Sequence, residues 1–211
     1  MSAARHPASN PGQPDAAKPR KTGRQAAKPK PAMRRPGDPS AEAALARMLR
    51  VDHAGEYGAR RIYEGQLAVL GQSSVAPVIR KMWEQEVKHL DHFEKLLPGR
   101  RVRPTLLQPL WHVAGFALGA ATALMGERAA MACTVAVEEV IDEHYAKQAE
   151  SLSDEPAEAA LRATIEDFRA DELEHRDTGL AHEAELATGY EPLTAVIKQG
   201  SRLAIWLSER L

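Results

Sequence analysis

The chain has a single cysteine among its 211 residues, so no intramolecular disulfide can form. Cys133 reads as a small buried thiol in a protein of a reducing compartment. Aromatic residues are scarce, at 5%. That scarcity removes most of the side chains that stabilise sheets, and the abundance of Ala favours helix. No apolar run stands near the N-terminus, so no secretory signal is expected. A glycine-rich nucleotide-binding fingerprint is also missing. Residues 1–40 have no large aliphatic side chain besides two methionines, and they carry eight prolines and nine Lys/Arg against two Asp. Such a stretch cannot bury enough surface to fold, and its prolines oppose the amphipathic helix of a mitochondrial transit peptide. It is expected to be a disordered basic Pro/Ala-rich tail, loosely attracted to anionic lipid. The tail's net +7 leaves −8 on residues 41–211, which form one acidic domain. With no basic-aromatic surface pattern behind the tail, nucleic acid is not an expected partner.

What is present is helical periodicity. Asp38-Pro39-Ser40 ahead of Ala41-Glu42 is a helix start, with Ser40 as N-cap, and the inward stripe runs through Leu49, Asp52, Glu56, Ile62/Tyr63 and Leu70 to a stop at Gly71. Ser73-Ser74 and Pro77 open a second helix that Pro98-Gly99 closes, with Ile79, Met82, Glu86, His89/Leu90 and Phe93 in line. A third begins at Glu127 and aligns Met131, Val135, Glu138, Ile141 and Tyr145 before Ser153-Asp154-Glu155-Pro156 breaks it. The fourth carries Ile165, Phe168, Glu172, His175 and Gly179 on one stripe and is expected to end near Gly189. Two apolar segments lie outside this set. Residues 105–125 suit either a core helix or one lying in a membrane interface, with Trp111 as an interfacial anchor, and a full span is the weaker reading. The other, Leu193 to Leu207, has Ile205 and Trp206 beyond what a bundle needs and suggests membrane contact.

Each of the four long helices therefore points an acid into its apolar stripe: Glu56 alone, Glu86 with His89, Glu138 alone, and Glu172 with His175. An ionised carboxylate buried without a partner costs several kcal/mol, so either these stripes are not core or something cationic meets the acids. One Glu from each of two helices and Glu-x-x-His from each of the other two is the ligand inventory of a ferritin-like di-iron or di-manganese bundle. Hard oxygen donors with imidazoles suit those metals, and bridging carboxylates offset the repulsion between two cations. Glu138 is preferred over Glu139 because it shares the stripe of Val135 and Tyr145. Asp171 is a candidate acceptor for a ligand imidazole N–H, with solvent exposure the alternative. His144 and Tyr145, one to two turns beyond Glu138, are candidates for a hydrogen-bonding or electron-entry role, with plain packing the simpler reading of Tyr145.

Arg50-Val51-Asp52-His53-Ala54-Gly55-Glu56-Tyr57-Gly58-Ala59 with Arg61-Ile62-Tyr63, the Glu86-x-x-His89 helix, Thr134-Val135-Ala136-Val137-Glu138-Glu139, Asp171-Glu172-Leu173-Glu174-His175 and the terminal Leu207-Ser208-Glu209-Arg210-Leu211 together resemble the demethoxyubiquinone hydroxylase family. The likeness runs from about residue 42 to the C-terminus. It implies an all-α, ferritin-like four-helix bundle with additional short apolar helices. Its activity would be that of an O2-dependent di-iron monooxygenase hydroxylating the ring of a polyprenylated demethoxy-benzoquinol in ubiquinone biosynthesis. By position, the resemblance makes Glu56, Glu86, His89, Glu138, Glu172 and His175 the ligands of two iron ions per chain. It also implies electrons from a pyridine nucleotide or from the quinol, and a peripheral place on the membrane surface, at the cytoplasmic face of a bacterial inner membrane, in contact with a ubiquinone-biosynthesis complex. Two readings of other classes compete: an iron-storage bundle, which needs a polar entry path, and a non-enzymatic helical scaffold whose acids pair with Arg.

Overall fold

A computed structural model describes residues 39–211, so all but the last two residues of the basic tail lie outside the described part. Among the described residues there are six α-helices and two short 3-10 turns, and no strand. They are α1 (Ala41–Leu70), α2 (Ala76–Gly99), α3 (Gln108–Leu124), α4 (Glu127–Ser151), α5 (Ala159–Ala181) and α6 (Tyr190–Ser208). Ser40 caps α1 as expected, its hydroxyl accepting the Ala43 N–H at 3.1 Å. Pro77 stands in the first turn of α2, where its missing N–H costs nothing.

The short connections after α1 and α4 make two antiparallel hairpins, α1–α2 and α4–α5, and the longer crossover that contains α3 joins them in the ferritin-like manner. Their stripes supply the core. One cluster gathers Tyr63, Ile79, Met82, Met131 and Val135, and a second gathers Leu49, Phe93, Tyr145, Leu161 and Ile165. The metal-ligating candidates lie between these two apolar halves.

Glycine places α3. A Cβ on Gly119 would stand 1.9 Å from the Ile62 carbonyl oxygen, and one on Gly115 would stand 2.8 Å from that of Gly58. A four-residue spacing of glycines therefore lets the α3 backbone lie directly on α1. The opposite side of α3 keeps Leu110 and Val113 exposed, as α6 does Val196, Leu203 and Trp206. No helix among the described residues is long and apolar enough to cross a membrane.

Two expectations about the last third of the chain need correction. α5 stops at Ala181, well before Gly189, because Glu183 takes a left-handed conformation (φ 59°) and leads into a 3-10 turn. The last helix starts at Tyr190, earlier than expected, since Gly189 supplies the left-handed N-cap (φ 70°) and Pro192 fits the first turn. In α3 the Trp111 indole N–H donates to the buried Ser208 hydroxyl at 3.0 Å, fastening α3 to the end of α6.

Candidate metal centre

Glu56, Glu86, His89, Glu138, Glu172 and His175 are all buried, none more than 2% exposed. The four core helices bring them into two overlapping groups. Glu56, Glu86, His89 and Glu172 place one donor atom each within 4.8 Å of one another, and so do Glu86, Glu138, Glu172 and His175. Glu86 and Glu172 belong to both groups, which is the position of bridging carboxylates. Both imidazoles turn Nδ1 inward. That of His89 lies 3.3 Å from oxygens of Glu56 and Glu172, and that of His175 lies 3.2 Å from oxygens of Glu86 and Glu172.

Eight donor atoms of this cluster are buried and have no hydrogen-bond partner: Oε2 of Glu56 and Glu138, both oxygens of Glu86 and Glu172, and Nδ1 of His89 and His175. Buried polar groups are ordinarily paired, and leaving one unpaired costs about 1–3 kcal/mol. Eight converging on one point are what a pair of hard divalent cations would satisfy, so the residues present fit a two-metal site.

The electrostatics agree. Burial pushes the carboxyls of Glu86 and Glu138 well above the usual range, and the Glu172 charge adds to the effect on both. Glu56 rises too, through burial and Glu172, against the pull of His89. Burial would also raise Glu172, but the imidazoles of His175 and His89 close beside it outweigh burial and hold Glu172 down at about 2. Burial would lower the imidazoles, yet the adjacent carboxylates of Glu172 and Glu56 carry His89 up to about 12, and Glu172 and Glu138 raise His175. Four acids this close tolerate one another only with shared positive charge, as protons or as metal.

A ring of partners holds the donors. Tyr63 and Tyr145 donate their phenol O–H to Glu138 and Glu56 respectively, each bond crossing between α1 and α4. Tyr145 is therefore more than packing. Outward, His89 Nε2 lies 3.0 Å from Asp171 Oδ2 and His175 Nε2 lies 3.2 Å from Gln85 Oε1. Phe168 stacks on the His89 ring at 3.9 Å between centroids. His144 turns away from the donor cluster and meets Gln148, whose amide also donates to the buried Asp52 at 2.6 Å. Glu139 faces outward and pairs with Lys198 of α6. Tyr63 and Gln85 escaped the sequence reading: Tyr63 looks like ordinary core on its stripe, and Gln85 has no signal beyond standing next to Glu86.

An apolar cavity of about 380 Å³ lies between α1, α3, α4 and α6, and its lining includes Gly55 and Val137, the chain neighbours of Glu56 and Glu138. Ala54, Gly55 and Gly58 form its wall on either side of Glu56, opposite Leu118, Ile141 and Ile205. A Cβ at Gly55 or Gly58 would meet nothing within 4 Å, so both glycines open space next to a ligand residue. Neither this cavity nor the two surface clefts around Arg80 and Arg128 is lined by any of the six.

The model of the family described as ubiquinone biosynthesis protein COQ7 matches residues 43–208. The chain is 59% identical over 179 residues to a 3-demethoxyubiquinol 3-hydroxylase of Rhodospirillum rubrum, covering 84% of each chain. It is 58% identical over 176 residues to the NADPH-dependent 3-demethoxyubiquinone 3-hydroxylase, mitochondrial, of Homo sapiens, covering 82% of this chain and 81% of the relative. To the 5-demethoxyubiquinone hydroxylase, mitochondrial, of Saccharomyces cerevisiae it is 45% identical over 182 residues, covering 79% and 78%.

Proposed function

The chain belongs to the COQ7 family of ubiquinone biosynthesis proteins, and from that membership we infer that it is a hydroxylase that adds an oxygen atom from dioxygen to the ring of a demethoxyubiquinol. The resident cofactor of this reading is a pair of iron ions held by Glu56, Glu86, His89, Glu138, Glu172 and His175, with Glu86 and Glu172 shared. The observation that carries it is the set of eight buried, unpartnered O and N donors, on helices two of which also wall an apolar cavity. Two bound iron ions would supply the reduction of dioxygen, one oxygen atom leaving for the ring and the other as water. The protein's part is to hold the donors through Tyr63, Tyr145, Asp171 and Gln85, to keep water from the ring, and to seat the ring beside Glu56 at the gap left by Gly55 and Gly58.

The cavity's lining opposes the iron-storage reading, which needs a polar path. It suits a ring trailing a prenyl chain. The exposed apolar residues of α3 and α6 would rest on the membrane that holds such a chain, placing the protein peripherally, on the cytoplasmic face of an inner membrane in a bacterium such as that of the Rhodospirillum relative. NADPH in the human relative's name makes a pyridine nucleotide the electron donor to try first, with the quinol as the alternative. A ubiquinone-biosynthesis complex is a further proposed partner. The test is quinone profiling of a strain lacking the protein. The demethoxy precursor should accumulate and disappear on complementation with the wild type but not with Glu172→Ala; a normal profile in the deletion strain would refute the reading.

A further inference from the structure

The donors and their partners repeat in pairs. Tyr63 stands seven residues past Glu56 and donates to Glu138, while Tyr145 stands seven past Glu138 and donates to Glu56. The residue ahead of each remaining Glu serves the imidazole of the opposite helix: Asp171, before Glu172, meets His89, and Gln85, before Glu86, meets His175. In charge this exchange is uneven. A carboxylate backs one imidazole and a neutral amide the other.

An imidazole bound to metal through Nδ1 carries its proton on Nε2 and donates it outward. A carboxylate acceptor makes that imidazole the more basic and better-oriented ligand, an effect worth about 10–100-fold in metal affinity. Phe168, stacked on the His89 ring, further restricts it. Resting on the two-metal reading above, we infer that the two positions are unequal. The one built on Glu56 and His89 holds a divalent cation more tightly than the one built on Glu138 and His175, and Asp171 and Gln85 are the positioning residues that set the difference. Neither residue is a ligand, and the Asp171 side chain is 40% exposed, so both can be changed conservatively without opening the core.

The test is a titration of the full-length, demetallated protein with Mn(II), following the EPR signal of the free ion. Repulsion between neighbouring cations would split the two binding steps by itself, so the response of the variants decides. Asp171→Asn should weaken the tighter step about 10–100-fold and narrow the interval, and Gln85→Glu should tighten the weaker step. Glu138→Ala, which keeps the Glu56 and His89 position, should bind its single Mn(II) more tightly than Glu56→Ala. An interval unchanged in both Asp171→Asn and Gln85→Glu, or equal affinity in the two single-position variants, would overturn the inference while leaving two bound metals in place. A wild type that takes up no Mn(II) and no Fe(II) would overturn the two-metal reading itself and this inference with it.

Discussion

The Tyr63 phenol donates to Glu138 Oε1 at 2.7 Å, tying α1 to α4 through a carboxylate that also faces the donor cluster. Both groups are almost wholly buried. Tyr63→Phe keeps the packing and removes only the hydroxyl. It should cost about 1–3 kcal/mol in a urea melt, the range for a buried hydrogen bond to a charged or ionisable group. Metal content should remain, because Glu138 keeps both oxygens. A variant as stable as the wild type would show that this bond contributes nothing.

Adjacent acids on α4 should behave as opposites. Glu138 faces the cluster, whereas Glu139 pairs with Lys198 and is partly exposed. Glu139→Ala should change stability by no more than about 1 kcal/mol and leave iron binding intact. Glu138→Ala should lose one of the two ions. Iron per chain, by elemental analysis after anaerobic reconstitution, distinguishes the two.

Glycines on α1 and α3 should split in the same way. At Gly119 a Cβ meets the Ile62 carbonyl at 1.9 Å, backbone against backbone, so Gly119→Ala must push α3 off α1 and lower the melting temperature strongly. Gly55→Ala meets nothing and gains helix propensity, which should raise stability by about 0.5–1 kcal/mol. Its methyl group nevertheless enters the cavity beside Glu56. KM for the quinol should rise while the protein becomes more stable, and a lower KM would contradict the placing of the ring there.

Stability against pH should depend on metal. Glu56, Glu86 and Glu138 have folded-state pKa values above their unfolded ones, so the folded state holds the extra protons. Their contribution is complete below the unfolded carboxyl range and is lost as pH rises. His89 and His175, also raised, contribute fully below the ordinary imidazole value and lose that contribution as pH climbs towards the folded value, about 12 for His89. Glu172 has the opposite sign: depressed to about 2, it contributes above the ordinary carboxyl range and loses this only in acid. Thermal melts of metal-free protein should therefore show falling stability from about pH 5 to pH 8. Added Fe(II) or Mn(II) under anaerobic conditions should flatten or reverse that slope, because cations displace the protons and bind better as pH rises. Equal slopes with and without metal would contradict this charge assignment.

Much of this site was legible in sequence because helical spacing and burial together made a contradiction that only cations resolve. Glu86 and Glu172 in particular sit mid-stripe between large apolar residues, and their spacing to His89 and His175 is the i, i+3 that puts both side chains on one face. What periodicity cannot tell is which groups meet across helices. Nothing along α2 marks Gln85 as the partner of His175, and Tyr63 looks no different from its apolar neighbours. Segment ends were least legible where a non-glycine took the left-handed conformation, as Glu183 does at the end of α5. The apolar run 105–125 left its orientation open until Gly115 and Gly119 were seen lying on α1.

If α3 and α6 rest on a bilayer, Val113→Glu together with Leu203→Glu should reduce sedimentation with phospholipid vesicles by about tenfold or more, given about 1.5–3 kcal/mol for each buried aliphatic side chain. Iron content should be unchanged. Vesicle binding equal to that of the wild type would place the membrane contact elsewhere.

The most direct test of the whole account is the iron content of anaerobically reconstituted protein, wild type beside Glu172→Ala. Removing the carboxylate shared by both positions should take the chain from about two iron ions to nearly none. Less than about one iron per wild-type chain, or an undiminished content in the variant, would contradict it.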